Sequence, residues 1–222
     1  MLADPVRTPE RWSTRAAIAA IAAIGASSGV TFWLVGQAIE AVAAYREAPW
    51  ILGRAAGVTS YLLLVTLVCT GLVLAHPSRR RLRRPGQVTR IRIHAALATF
   101  TLAFTVLHVV VLATDHYAKV GWWGALLPMA SAYRPEAVTL GVIALYGGLL
   151  AGATAALAGH AAGRIWWHLH RIAAVFLVLA WAHAVLAGTD TPALRALYLS
   201  TGTLVVVLGA SRYLAMTERR AR

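Results

Sequence analysis

IHAALATFTLAFTVLHVVVLAT, residues 93–114, decides the fold class. It holds no Asp, Glu, Lys or Arg. As a helix it would be about 33 Å long at about 1.5 Å per residue, enough to cross a hydrocarbon core of about 30 Å. The side chains that break its apolar character are His94 and His108. A second stretch of the same kind, IWWHLHRIAAVFLVLAWAHAVLAG at residues 165–188, carries His170 and His183. Ionisable groups are costly in lipid and normally face a partner there. These four histidines therefore pose the functional question.

Outward from these two stretches the rest of the chain reads the same way. Of its 222 residues 59% are hydrophobic and 13% charged, against about 25% charged in soluble domains. Six spans are predicted: Ala16–Ala43, Ala55–Ala75, Ile93–Thr114, Ala137–Gly159, Ile165–Gly188 and Leu194–Ala215. They form an all-α membrane domain over 16–215, between an N-terminal segment 1–15 and a C-terminal segment 216–222. The apolar part of the first span exceeds the core of 7–15 residues usual in a cleavable leader, so it is expected to be retained. Trp50, Trp122, Trp123, Trp166 and Trp167 fall at span ends or in loops, as interfacial tryptophans do. Cys69, the one cysteine, lies inside an apolar run, which leaves no disulfide framework or thiolate metal site.

The formal net charge of +13 would suggest nucleic acid if it lined one face of a soluble domain. Here the arginines sit between the apolar runs, so no nucleic-acid partner is expected. Sixteen of the 21 Lys and Arg residues fall in the N-terminal segment, the second-to-third loop, the fourth-to-fifth connection and the C-terminal segment. The other five are Arg46, Arg54, Lys119, Arg134 and Arg195. The positive-inside rule then places both termini in the cytoplasm of a multi-pass cell-membrane protein, with the Arg79–Arg84 cluster as the strongest single signal. The longest loop, Asp115–Glu136, lies outside, and its apolar part Gly121–Met129 is expected along the interface.

His94 and His108 are about 21 Å apart along the third span, and His170 and His183 about 20 Å apart along the fifth. Both spans run from inside to outside, so His94 and His170 share the inner half and His108 and His183 the outer. Imidazole suits iron, and heme buries a large apolar ring between helices. Two depth-matched pairs predict bis-histidine ligation of two b-type hemes between the third and fifth helices. One point of phase stays open. Fourteen residues return the third helix to within about 40° of its starting face, whereas thirteen leave His183 about 140° from His170. Either the fifth helix bulges, or the histidines leave it on different sides. His76, His116, His160 and His168 are weaker candidates: interfacial, loop-borne, or turned away from His170.

These paired histidines, with WHLHR at 167–171, SAYRPEAVTLGVIALY at 131–146 and AHAVLAGTD at 182–190, resemble the ferric reductase-like transmembrane domain. That family includes ferric reductases, NADPH oxidases and the heme subunit of bacterial methionine sulfoxide reductase systems. The similarity covers roughly residues 50–215, and short bacterial members consist of the membrane domain alone. It implies that His94 and His170 ligate an inner heme, and His108 and His183 an outer one. Arg54 matches a frequent arginine of the family and would pair with an outer propionate. Arg92 and Arg171 lie near the inner heme's depth, where they would meet its propionates or snorkel to the inner surface.

The resemblance implies a transmembrane electron wire. Its donor would be a cytosolic flavoprotein reductase or a quinol, and its acceptor extracytoplasmic. The chain would be an oxidoreductase component that needs a separate partner, since no flavin or nicotinamide fingerprint occurs in it. Some methionine sulfoxide reductase heme subunits lack the first histidine of the third span, which is present here. Delivery of electrons to a periplasmic or extracellular reductase, such as one acting on methionine sulfoxide or bearing a flavin, is the alternative. A histidine-based metal-binding or transport protein is the alternative of another class. It would want its ligands gathered at one depth.

Overall fold

Long uninterrupted apolar runs with few β-branched clusters and no internal proline favour helices, because in lipid every backbone group must be satisfied within its own segment. The computed structural model describes residues 47–78, 86–156 and 165–220, together with Trp33 and Gln37. Among these residues the regular structure is entirely helical. The helices are α1 (Ala48–Ala75), α2 (Gln87–Thr114), α3 (Gly121–Leu126), α4 (Pro135–Ala156), α5 (Ile165–Ala187) and α6 (Thr191–Arg220). All but α3 are long and apolar enough to cross a membrane, which makes this a multi-pass membrane protein. The predicted first span, Ala16–Ala43, and the Arg79–Arg84 cluster lie outside the described residues. The chain divides into two units, Met1–Ala48 and Pro49–Arg222. The second carries all four histidines and Arg54.

Three of the helices outrun their predicted spans. α1 begins at Ala48 where Ala55 was expected, α2 at Gln87 where Ile93 was expected, and α6 runs to Arg220 beyond Ala215. Hydropathy marks only the length in hydrocarbon. A helix keeps its hydrogen bonds while crossing the headgroup region, and there it carries Arg90, Arg92 and Arg212.

The surface is turned outward to an apolar solvent. Phe100, Val178 and Val206 are 58%, 62% and 69% exposed. In a soluble protein so many bare apolar residues would mark an aggregating surface; in lipid they cost nothing. What holds the helices together is therefore packing and a few polar bridges. Tyr61, Val65, Leu177 and Tyr198 form a buried cluster on which Cys69 packs. Tyr61 Oη bonds Thr201 Oγ1 at 2.6 Å, and its ring meets Tyr198 edge-on at 5.4 Å. Trp181 Nε1 donates to the Tyr198 carbonyl at 3.3 Å. Ser60 and Thr105 share a hydroxyl bond of 2.5 Å between α1 and α2.

The loop between α2 and α4 is fastened at each turn. Asp115 accepts from the backbone amides of Tyr117 and Ala118 at 3.0 and 3.2 Å. Helix α3 shows Trp122 and Trp123 outward, 49% and 74% exposed, and buries Gly124 and Ala125. Two exposed indoles are the side chains that suit the interfacial position expected for the segment. Tyr133 Oη and Arg134 Nη1 donate to the carbonyls of Ala187 and Leu186 at 2.7 and 2.6 Å. Those carbonyls belong to the last turn of α5, which has no intrahelical donor for them. The loop thereby fixes the end of α5 nearest His183.

Candidate functional site

Each histidine of α2 meets one of α5. The ring centroids of His94 and His170 are 6.0 Å apart, and those of His108 and His183 are 6.3 Å apart. In both pairs the ring planes cross at 77°. The two helices meet here through these side chains. Helix α5 is regular from Ile165 to Ala187. The phase question is thereby answered without a bulge: the two histidines leave α5 on different sides.

Three of the rings are held from behind through Nδ1. His108 Nδ1 donates to the Gly53 carbonyl at 2.7 Å, and His183 Nδ1 to the Ala137 carbonyl at 2.8 Å. A carbonyl can only accept, so the proton in each ring sits on Nδ1 and the lone pair on Nε2. His94 reaches the same state by a relay. Its Nδ1 lies 3.0 Å from Thr70 Oγ1, and that hydroxyl donates to the Leu67 carbonyl at 2.8 Å, which leaves it to accept from the imidazole. Nε2 is then the nitrogen offered to the opposite ring.

Glycines make these approaches possible. A Cβ at Gly57 would lie 2.8 Å from His108 Cε1 and Nδ1, and one at Gly141 would lie 2.8 Å from His183 Nδ1. A Cβ at Gly71 would lie 3.2 Å from His94 Cε1. Between the two levels, Phe176 packs its ring against Gly147, leaving no room there for a Cβ.

Arg54 forms an ion pair with Asp190 and lies with Cζ 4.0 Å from the Trp50 ring centroid. Trp50 in turn meets Tyr117 edge-on at 5.6 Å. Arg54 follows Gly53 in sequence, so the carbonyl that holds His108 and this guanidinium belong to one turn of α1. Arg92 and Arg171 are exposed, as are His116 and His168, while His76 accepts from the Ser78 amide at 3.1 Å. His160 lies outside the described residues. The parts played by Thr70, Gly57, Gly71, Gly141, Asp190 and Phe176 do not follow from the histidine pattern. One signal for them was present: Gly57 and Gly71 repeat on α1 the fourteen-residue interval of His94 and His108.

No protein-family model, curated protein or solved structure matches the chain.

Proposed function

We propose that the chain is a di-heme b-type transmembrane electron-transfer protein. In this reading His94 and His170 hold the inner heme, His108 and His183 hold the outer one, and both termini face the cytoplasm. The observation that carries the proposal is the spacing of the facing rings. Imidazole–metal bonds run about 2.0–2.1 Å. Adding about 1.1 Å from nitrogen to ring centre on each side, two imidazoles on opposite sides of one metal would put their centroids about 6.2–6.4 Å apart. The pairs stand at 6.0 and 6.3 Å, and the residues present fit the group.

The donor set favours heme over a bare ion. Among the described residues no three His, Cys, Asp or Glu side chains gather as a metal site. Two imidazoles alone hold an ion poorly, whereas a porphyrin brings four nitrogens of its own. Bound at these two levels, hemes supply a one-electron relay about 20 Å long across the membrane. The protein's residues do the rest. The two imidazoles of a pair would together hold the iron and leave it no open site, which suits outer-sphere transfer over oxygen activation at the metal. Thr70, Gly53 and Ala137 hold the Nδ1 protons and so present Nε2, as partners of ligating histidines commonly do. Arg54, paired with Asp190, would meet an outer propionate.

The ferric reductase-like family supplies the context: a cytosolic flavoprotein or quinol as donor, an extracytoplasmic acceptor, and an oxidoreductase completed by a partner protein. Pyridine hemochrome analysis of protein expressed with ample heme should give about two b-type hemes per chain, and the absorption spectrum of the native protein should show both low-spin. Protein without heme under those conditions overturns the proposal.

A further inference from the structure

The arginines near His94 are not equivalent. On α2, residues four apart lie on one face, one turn of about 5.4 Å apart along the axis. Arg90 therefore stands directly beneath His94 toward the start of the helix. Arg92, two residues from His94, turns to the opposite side. Exposure follows this geometry: Arg92 is exposed, whereas Arg90 is half-buried with its Nε shielded from solvent. Arg171 on α5 is exposed as well. Arg212 on α6 is directed elsewhere, its Nε donating to the Ala75 carbonyl at the end of α1 at 3.4 Å. Helix α1 has no basic residue in its last turn.

We propose that Arg90, one turn below His94 on the same face of α2, binds the propionates of the heme held by His94 and His170. This rests on the heme reading above. A guanidinium suits the task because its planar fork matches a carboxylate, with both N–H···O bonds charge-assisted. Its long stem lets the head reach from the helix face toward the porphyrin edge while the methylenes stay in apolar surroundings. The level is right too. Carboxylates of a heme held by His94 and His170 would be cheapest at the nearer aqueous face, the side from which Arg90 projects. Arg90 and Arg54 then serve equivalent ends of the two hemes from opposite faces of the bundle.

The test uses the full chain, purified with heme, and reads the two midpoint potentials by redox titration. The component that disappears in His94→Ala identifies the inner heme. Arg90→Ala should lower that component's midpoint, or selectively empty that site, because a positive charge beside the heme stabilises the reduced form. The outer component should keep its midpoint. Arg90→Lys should recover most of the shift, and Arg92→Ala should leave both components where they were. Should Arg90→Ala fail to assemble, Arg90→Gln removes the charge while keeping the side chain's length, and a lowered inner midpoint is again the expected result. An unchanged inner midpoint with full heme, equal shifts in both components, or an equal effect of Arg92→Ala overturns the assignment. Absence of heme from the unsubstituted chain would instead overturn the function on which it rests.

Discussion

Gly57 lies flat against the imidazole of His108, so close that a Cβ at 57 would stand 2.8 Å from two ring atoms. Alanine normally stabilises a helix by about 0.8–1.0 kcal/mol over glycine. Overpacking costs about 1–3 kcal/mol when neighbours must shift, and here the neighbour is a ring pinned to the Gly53 carbonyl. The second effect wins at Gly57, and at Gly141 against His183 for the same reason. At Gly71 the added carbon would sit 3.2 Å from His94, and the two effects come near balance. Gly57→Ala and Gly141→Ala should each empty the outer site, taking heme from about two per chain to about one, while Gly71→Ala keeps both. Equal heme loss in all three would show that the glycines serve helix packing and not the imidazoles.

The pairing of rings makes a sharper claim about the histidines. His94 faces His170 and His108 faces His183, so each of the two proposed hemes would depend on its own two side chains. His108→Ala and His183→Ala should remove one and the same redox component, and His94→Ala and His170→Ala the other. Heme content should fall to about half in each, since an iron that loses one of two axial ligands is held weakly. If His94→Ala and His108→Ala removed the same component in a redox titration, the assignment of ligands to levels would be wrong.

Much of this was legible in the sequence for a simple physical reason: lipid demands long apolar helices, and four histidines inside such helices stand out by cost alone. The second to sixth predicted spans each correspond to a helix, and the depth matching of His94 with His170 and of His108 with His183 followed from helical rise. What the sequence hid were contacts between distant segments. Asp190 pairs with Arg54 across 136 positions of chain, and no local pattern announces it. The side from which His170 and His183 leave α5 depended on whether the helix stays regular, which spacing alone leaves open. The helix ends were missed because hydropathy falls at the edge of the hydrocarbon while the backbone hydrogen bonds continue.

Arg54 and Asp190 give a prediction with two opposite signs. Both side chains keep contact with solvent, 27% and 44% exposed, and pairs of that kind contribute about 0.2–1 kcal/mol. Breaking this one should leave thermal stability nearly unchanged. The potential of the outer heme should respond far more. Arg54→Ala removes a positive charge and should lower the outer midpoint. Asp190→Asn leaves the guanidinium uncompensated and should raise it. Redox titration of the two variants reads both shifts, and movement in the same direction would remove Arg54 from the outer site.

The crossed rings make the last prediction. In both pairs the imidazole planes stand at 77°, and the cause is visible in what holds them. His108 is fixed from α1 through the Gly53 carbonyl, and His183 from α4 through the Ala137 carbonyl. The two anchors lie on different helices, so neither ring is free to turn parallel to the other. Near-perpendicular axial imidazoles leave the dxz and dyz orbitals of a ferric low-spin heme close in energy. The electron paramagnetic resonance spectrum then shows a single strongly shifted feature in place of the three-line rhombic pattern of parallel rings. Both hemes should show the shifted feature. Thr70→Val should change only the inner one, because it removes the hydroxyl that accepts from His94 Nδ1 and frees that ring to rotate. A rhombic spectrum in the unsubstituted protein would mean that ligation reorients the rings. An outer signal altered by Thr70→Val would mean that the two levels are not independently held.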